Sequence, residues 1–161
     1  MNYHPLPQPN EIPVREREDA MGAYLMMFAA VAIGLPLPII NLIAAVIYYF
    51  VNRKKSRFIH FHSLQSLLSQ IPTTIINWVA VIWAVTIFFT DTTLSDEFWA
   101  YVIFAGVSTL LYFIISMIAA YHARQGKMYY FLFFGKIAYD LVFRVRESDV
   151  NPKVNENKPP F

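Results

Sequence analysis

No cysteine occurs anywhere in the chain, which excludes a disulfide-stapled secreted scaffold and is compatible with either side of a membrane. Charge is scarce: Asp, Glu, Lys and Arg make up 15% of the 161 residues, against about 25% in an ordinary soluble domain. A net charge of +2 is too small for a nucleic-acid-binding surface, so no nucleic-acid partner is expected. No charged residue lies between Ala20 and Asn52, between Phe58 and Thr90, or between Phe98 and Ala123. An intramembrane proton relay, a voltage sensor and a carboxylate cation site are thereby excluded. The glycine patterns of phosphate-binding loops are missing, and the first twenty residues lack the basic stretch and short apolar core of a cleavable signal.

What the chain has in quantity is apolar surface. Hydrophobic residues reach 57% and aromatics 17%, with 14 Phe, 10 Tyr and 3 Trp, and the mean hydropathy is +0.40. So small a water-soluble sphere has no interior large enough to bury that much. The composition points to an all-α, polytopic membrane protein.

A bilayer-spanning helix needs about 20 apolar residues. The runs at 61–90 and 98–122 satisfy that length. Ser95-Asp96-Glu97 reads as an N-terminal cap for the second, and Gly126 as its stop. Ala20–Val51 is 32 residues, about 48 Å as one straight helix, and is broken at Gly34-Leu35-Pro36-Leu37-Pro38. It reads as a tight hairpin of helices at 20–34 and 38–51, or as one kinked span. The 13 Lys and Arg favour the hairpin. Two precede the first run, four lie in Asn52–Arg57, five between Arg124 and Arg146, two in the tail, and none in Asp91–Glu97. A hairpin puts them all on the cytoplasmic side, with both termini. The expectation is four hydrophobic helices in a bacterial inner membrane, flanked by polar tails at 1–19 and 147–161. An interfacial amphipathic helix is expected over 127–144, where Lys136, Asp140 and Arg144 recur every four residues among aromatics. Arg53, Lys54, Lys55, Arg57, Arg124 and Lys127 fall at lipid-headgroup level.

One helical face between residues 61 and 90 is polar: His62, Gln65, Ser66, Ser69, Thr73 and Asn77 step by three or four. Such a face turns toward protein, as glue between helices, or toward water, as the lining of a groove. Pro72 lies within it and should kink the helix or loosen a turn. His60 and His62 are two residues apart, nearly opposite on a helix, and cannot chelate one metal from one face. His62 with His122 as haem ligands, and Ser108 or Ser116 with His122 as a nucleophile pair, are weak arrangements without supporting motifs. No enzyme activity, cofactor or metal is expected.

Arg57-Phe58-Ile59-His60-Phe61-His62-Ser63-Leu64-Gln65-Ser66-Leu67 resembles a signature of the family of the twenty-kilodalton subunit of the chloroplast inner-envelope protein import translocon. Ala123-Arg124-Gln125-Gly126-Lys127-Met128-Tyr129-Tyr130-Phe131 is similar to the segment that follows that family's last span, and Pro36, Pro38 and Asn41 fit a further feature. His60, Ser66 and Leu132 depart from the pattern. The resemblance implies family-motif or partner-contact roles for Phe58, Phe61, His62, Gln65, Gly126 and Tyr129. It implies an accessory subunit of a larger membrane complex, in protein translocation or membrane-protein assembly, with other integral subunits (a protein translocase among them) as partners. The alternative from the residues themselves is a homo-oligomeric pore or carrier lined by the His62–Asn77 stripe.

Overall fold

The computed structural model describes residues 2–34, 37–90 and 92–145. Helix α1 spans Val14–Leu25 and passes through one 3-10 turn, Met26–Phe28, into the short α2, Ala29–Ala32. Four longer-range elements follow: α3 (Pro38–Asn52), α4 (Arg57–Thr90), α5 (Asp96–Arg124) and α6 (Phe134–Phe143). An isolated antiparallel bridge joins Tyr3 to Arg144.

The first apolar run folds as a hairpin. Gly34, at φ +70°, turns the chain, and the Asn41 side chain accepts a 2.8 Å hydrogen bond from the Ala30 amide across the two arms. At the open end the Tyr48 hydroxyl donates to the Asp19 carbonyl (2.7 Å), and Lys55 pairs with the Asp19 carboxylate (2.7 Å). Among the described residues, neither arm holds a helix long and apolar enough by itself to cross a bilayer. Helix α1 begins six residues before the expected start, because Pro13 sits at its N-cap and the charged Arg15–Asp19 stretch is itself helix-forming. Helix α3 is apolar but only 15 residues long, about 22 Å. The expected four hydrophobic helices thus reduce to two that are long and apolar enough to cross a bilayer, α4 with 34 residues and α5 with 29.

Both ends of α5 form as the sequence predicts. The Ser95 hydroxyl accepts from the Phe98 amide (3.3 Å). At the other end Lys127 N–H reaches the His122 carbonyl and Gly126 N–H the Ala123 carbonyl, each at 2.9 Å, with Gly126 at φ +75°. That pairing is a Schellman stop, and it needs the left-handed residue that glycine supplies.

Packing is concentrated at one end. Ala20 and Tyr24 of α1, Phe58 of α4, and Ala119, Ala120 and Ala123 of α5 are buried together. Small alanines on α5 let α1 approach closely. Past Thr74 the outward side chains of α4 (Ile75, Val79, Ile82, Val85, Phe88, Phe89) and of α5 (Trp99, Ile103, Phe104, Val107, Leu110, Leu111) are exposed. An apolar surface of that extent belongs in lipid.

The C-terminal segment departs from the expected helix over 127–144. Lys127–Phe133 carries no regular helix, and α6 begins only at Phe134. Helix α6 buries Gly135, Ala138, Val142 and Phe143 against α4, so it is packed on protein along one face. Asp140 accepts from the Tyr3 hydroxyl (3.0 Å). The first nineteen residues also carry structure: Ile12 is buried, Arg17 donates to the carbonyls of Ile12 (2.8 Å) and Pro9 (2.6 Å), and Tyr3 stacks on Tyr139. The tail at 147–161 lies outside the described residues.

Candidate functional site

A polar knot joins α1, α4 and the segment after α5. Gln65 is fully buried, and its amide nitrogen donates to the Tyr24 hydroxyl (2.8 Å) and to the Tyr129 carbonyl (2.9 Å). Its amide oxygen accepts from the Phe131 N–H (3.1 Å). The side-chain amide therefore pairs with an extended backbone as a neighbouring strand would, which is why 127–133 runs unwound past α4. Tyr130 and Gly135 close around it. A Cβ on Gly135 would stand 2.8 Å from the Tyr130 Cα and 2.9 Å from the Gln65 oxygen.

His62 completes the knot one turn before Gln65. Its Nδ1 lies 2.9 Å from the Tyr24 hydroxyl. The Tyr24 hydroxyl accepts from Gln65 and keeps both a proton and a second lone pair, so the direction of its bond to His62 Nδ1 follows the imidazole tautomer, which also sets whether Nε2 carries hydrogen. That Nε2 is buried without a hydrogen-bond partner, and the ring sits edge-on to Phe58 and Phe61 at centroid distances of 4.5 and 5.1 Å. A ring so enclosed is no axial haem ligand. Below it the Ser66 hydroxyl donates to the Ala23 carbonyl (2.8 Å), closing α1 onto α4.

The stripe read from the sequence is thus turned inward. His62, Gln65, Ser66 and Ser69 are buried, while Thr73 and Asn77 are half-buried. Asn77 donates to the Thr109 hydroxyl of α5 and to the Thr73 carbonyl, both at 2.8 Å. His62, Gln65, Ser66 and Asn77 join α4 to neighbouring segments, Ser69 bonds the Ser66 carbonyl of its own helix, and Thr73 and Asn77 also border a cavity beneath the hairpin. Phe58 and Phe61 are core, Gly126 is the helix stop, and Tyr129 contributes its backbone carbonyl. Ser116 and His122 do not form a nucleophile pair: Ser116 is fully buried beside Tyr112, and His122 Nδ1 bonds the Ile118 carbonyl (2.8 Å).

Sequence reasoning missed Tyr24, Gln70, Thr74 and Tyr112, all polar groups of the same interface. Gln70 and Thr74 fall one position off the chosen face, and continuing the stepping from Ser66 by four reaches both. Tyr24 carries no local signal, since only the fold brings it across to residue 62.

The basic residues assigned to the headgroup layer gather at the packed end. Arg53 lies over the Phe50 ring (4.7 Å), Arg124 pairs with Glu18 (3.6 Å), and Arg57 approaches His4 (3.1 Å). Lys54 and Lys127 are exposed there. At the far end Ser95 caps α5 ahead of Asp96 and Glu97 in its first turn. Hydrogen bonding from Ser95 holds the Glu97 carboxyl below the usual carboxylate range. Among the described residues, no three His, Asp or Glu side chains gather as a metal site.

The MamF/MmsF family model, described as the magnetosome magnetite crystal formation protein family, matches residues 16–138. The chain belongs to this family. No curated protein and no solved structure matches it at a significant level. The family match overturns the resemblance to the chloroplast translocon family and leaves the translocase partner without support. Both segments that suggested it, 57–67 and 123–131, lie inside the matched region and are accounted for by one packing task, the clamping of 129–131 by Gln65. A packing solution of that kind carries fold, not activity.

Proposed function

We propose that the chain is a non-catalytic, integral membrane accessory protein of magnetite crystal formation, working within a larger membrane assembly. The family match over residues 16–138 carries this reading. Its support in the fold is a pair of span-length helices with all charge pushed to their ends. By the positive-inside rule the packed, basic end faces the cytoplasm. The stretch 91–97, with Asp91, Asp96, Glu97 and no Lys or Arg, then faces the compartment where the mineral grows. The knot at Gln65 keeps α1, α4 and the segment after α5 in one rigid unit on the cytoplasmic side, a platform for neighbouring subunits.

The test is deletion of the gene in a magnetite-forming bacterium that carries it, with crystal dimensions measured by electron microscopy. The expected result is fewer or smaller crystals, restored by the native chain and not by a Gln65→Leu variant. Unchanged crystals after deletion would rule the reading out.

A further inference from the structure

Helix α4 changes character half-way along. It buries eleven side chains between Phe58 and Thr74 and none from Ile75 to Thr90. The packed half is flanked by two segments that enter from the basic end and turn back. One is the α1–α3 hairpin. Near its base the Tyr49 hydroxyl lies 3.2 Å from His60 Nε2, and near its tip Leu37 and Pro38 line one cavity with Thr73 and Thr74. His60 to Thr74 is about 21 Å along the helix axis, of roughly 30 Å of hydrocarbon.

The other is the segment after α5. It leaves the helix stop at Gly126, meets Gln65 at Phe131, and brings Leu132 and Phe133 to the level of Pro72 and Thr73. Helix α6 then climbs back, and Phe143 borders one cavity with Arg57 and Phe58 at the start of α4. Irregular backbone at membrane depth must be satisfied by protein, and Gln65 does this for Tyr129 and Phe131.

Both flanking segments turn apolar groups outward. Ile39, Ile43, Ile47 and Phe50 form an exposed stripe on α3, stepping by three or four. Leu132 and Phe133 are 87% and 75% exposed, and Ile137 and Leu141 continue from Phe133 every four residues along α6. Such surfaces belong in hydrocarbon, so the packed half lies within the membrane and not above it. Arg53, Lys54, Lys55 and Arg57 mark its headgroup boundary, where they match anionic lipid. Toward Thr90, α4 pairs with α5: Trp83 lies against Phe98 and Tyr101, and the Tyr101 hydroxyl donates to the Ile76 carbonyl (3.1 Å).

We propose that the fold is a membrane wedge, several elements wide in the leaflet at its basic end and two helices wide at the other, whose partner is a bilayer convex toward the basic end. It displaces more lipid from one leaflet than from the other and so accumulates where the membrane bulges that way. In the cell this is a membrane convex toward the cytoplasm, the shape of the wall of a compartment that the cytoplasm surrounds. Only that cellular direction rests on the sidedness assigned above; the wedge rests on shape.

The test is sorting of the full chain into tubes pulled from giant vesicles of phosphatidylcholine and phosphatidylglycerol. Because the chain has no cysteine, Lys54→Cys and Thr93→Cys each give one dye site, at exposed positions at opposite ends. A membrane-impermeant thiol dye added outside marks only copies with that end outward, and a headgroup-labelled lipid normalises the tube signal. Copies labelled through Lys54→Cys should be enriched in the tube about two- to threefold, because each extra helix, about 10 Å across, widens one leaflet only. Copies labelled through Thr93→Cys, inserted the other way up, should be depleted. Equal partition, a shift of both in the same direction, or the reverse pattern would overturn the proposal. None of these results bears on crystal dimensions after gene deletion, so the wedge and the accessory role fail separately.

Discussion

Gln65 of α4 joins α1 to the segment after α5: its amide bonds Tyr24 of α1 and the backbone of Tyr129 and Phe131. Replacement by Leu keeps the volume and strands a buried carbonyl and a buried amide, at a cost of about 2–4 kcal/mol. A marked fall in the thermal midpoint of the detergent-solubilised protein checks this, and a midpoint within a degree of native would contradict it. The two backbone-critical glycines should differ in severity. Gly126→Ala pays for φ +75°, roughly 1–2 kcal/mol. Gly135→Ala drives a methyl to 2.8 Å of the Tyr130 backbone, so its midpoint should fall further. At this scale the sequence was half legible. His62 and Gln65 stand out because amides and imidazoles are rare in apolar runs. Tyr24, 41 residues from Gln65, emerges only from tertiary packing.

Elements were legible where the signal was local. The cap at Ser95 and the stop at Gly126 follow from residue chemistry within one turn, and both form as expected. Ser95→Ala should cost about 1 kcal/mol, read as faster amide exchange in the first turn of α5. Acidity should act at the same place. The folded Glu97 carboxyl titrates below its usual value, so its contribution is present above the ordinary carboxylate range. It is lost as pH falls through the depressed value. Trp99 is half-exposed two residues on, and its emission should report fraying on acidification in the native chain, with a smaller response in Glu97→Gln. Helix lengths near the breaks were less legible. Hydropathy marks Ala20 as the start of the first arm, yet charged residues lengthen α1 back to Val14. The expected helix at 127 yields to an unwound stretch because Gln65 offers that backbone better partners than a helix would.

Across the whole molecule, the all-helical fold and the separation of charge into islands were plain from composition, since lipid tolerates little else. The functional family was not, because short motifs that encode packing are shared more widely than the activities built on them. Charge separation makes a sidedness prediction that the absence of cysteine renders simple to check. In intact cells Lys54→Cys should resist a membrane-impermeant thiol reagent until the inner membrane is opened. Thr93→Cys should be shielded from the cytoplasmic side and label in oriented vesicles that expose the opposite face. Labelling of both from one side would refute two spans.

The knot also has a history in time. The backbone groups of Tyr129 and Phe131 that satisfy Gln65 lie 64 and 66 residues downstream, and at about 5–20 residues per second they emerge roughly 3–13 s after it does. Throughout that interval the nascent chain holds an amide in an apolar setting with its intended backbone partners not yet made. A ribosome that stops short of residue 131 leaves the Gln65 oxygen without the Phe131 N–H, though its nitrogen can still reach Tyr24, a built-in mark by which an incomplete chain differs from a finished one.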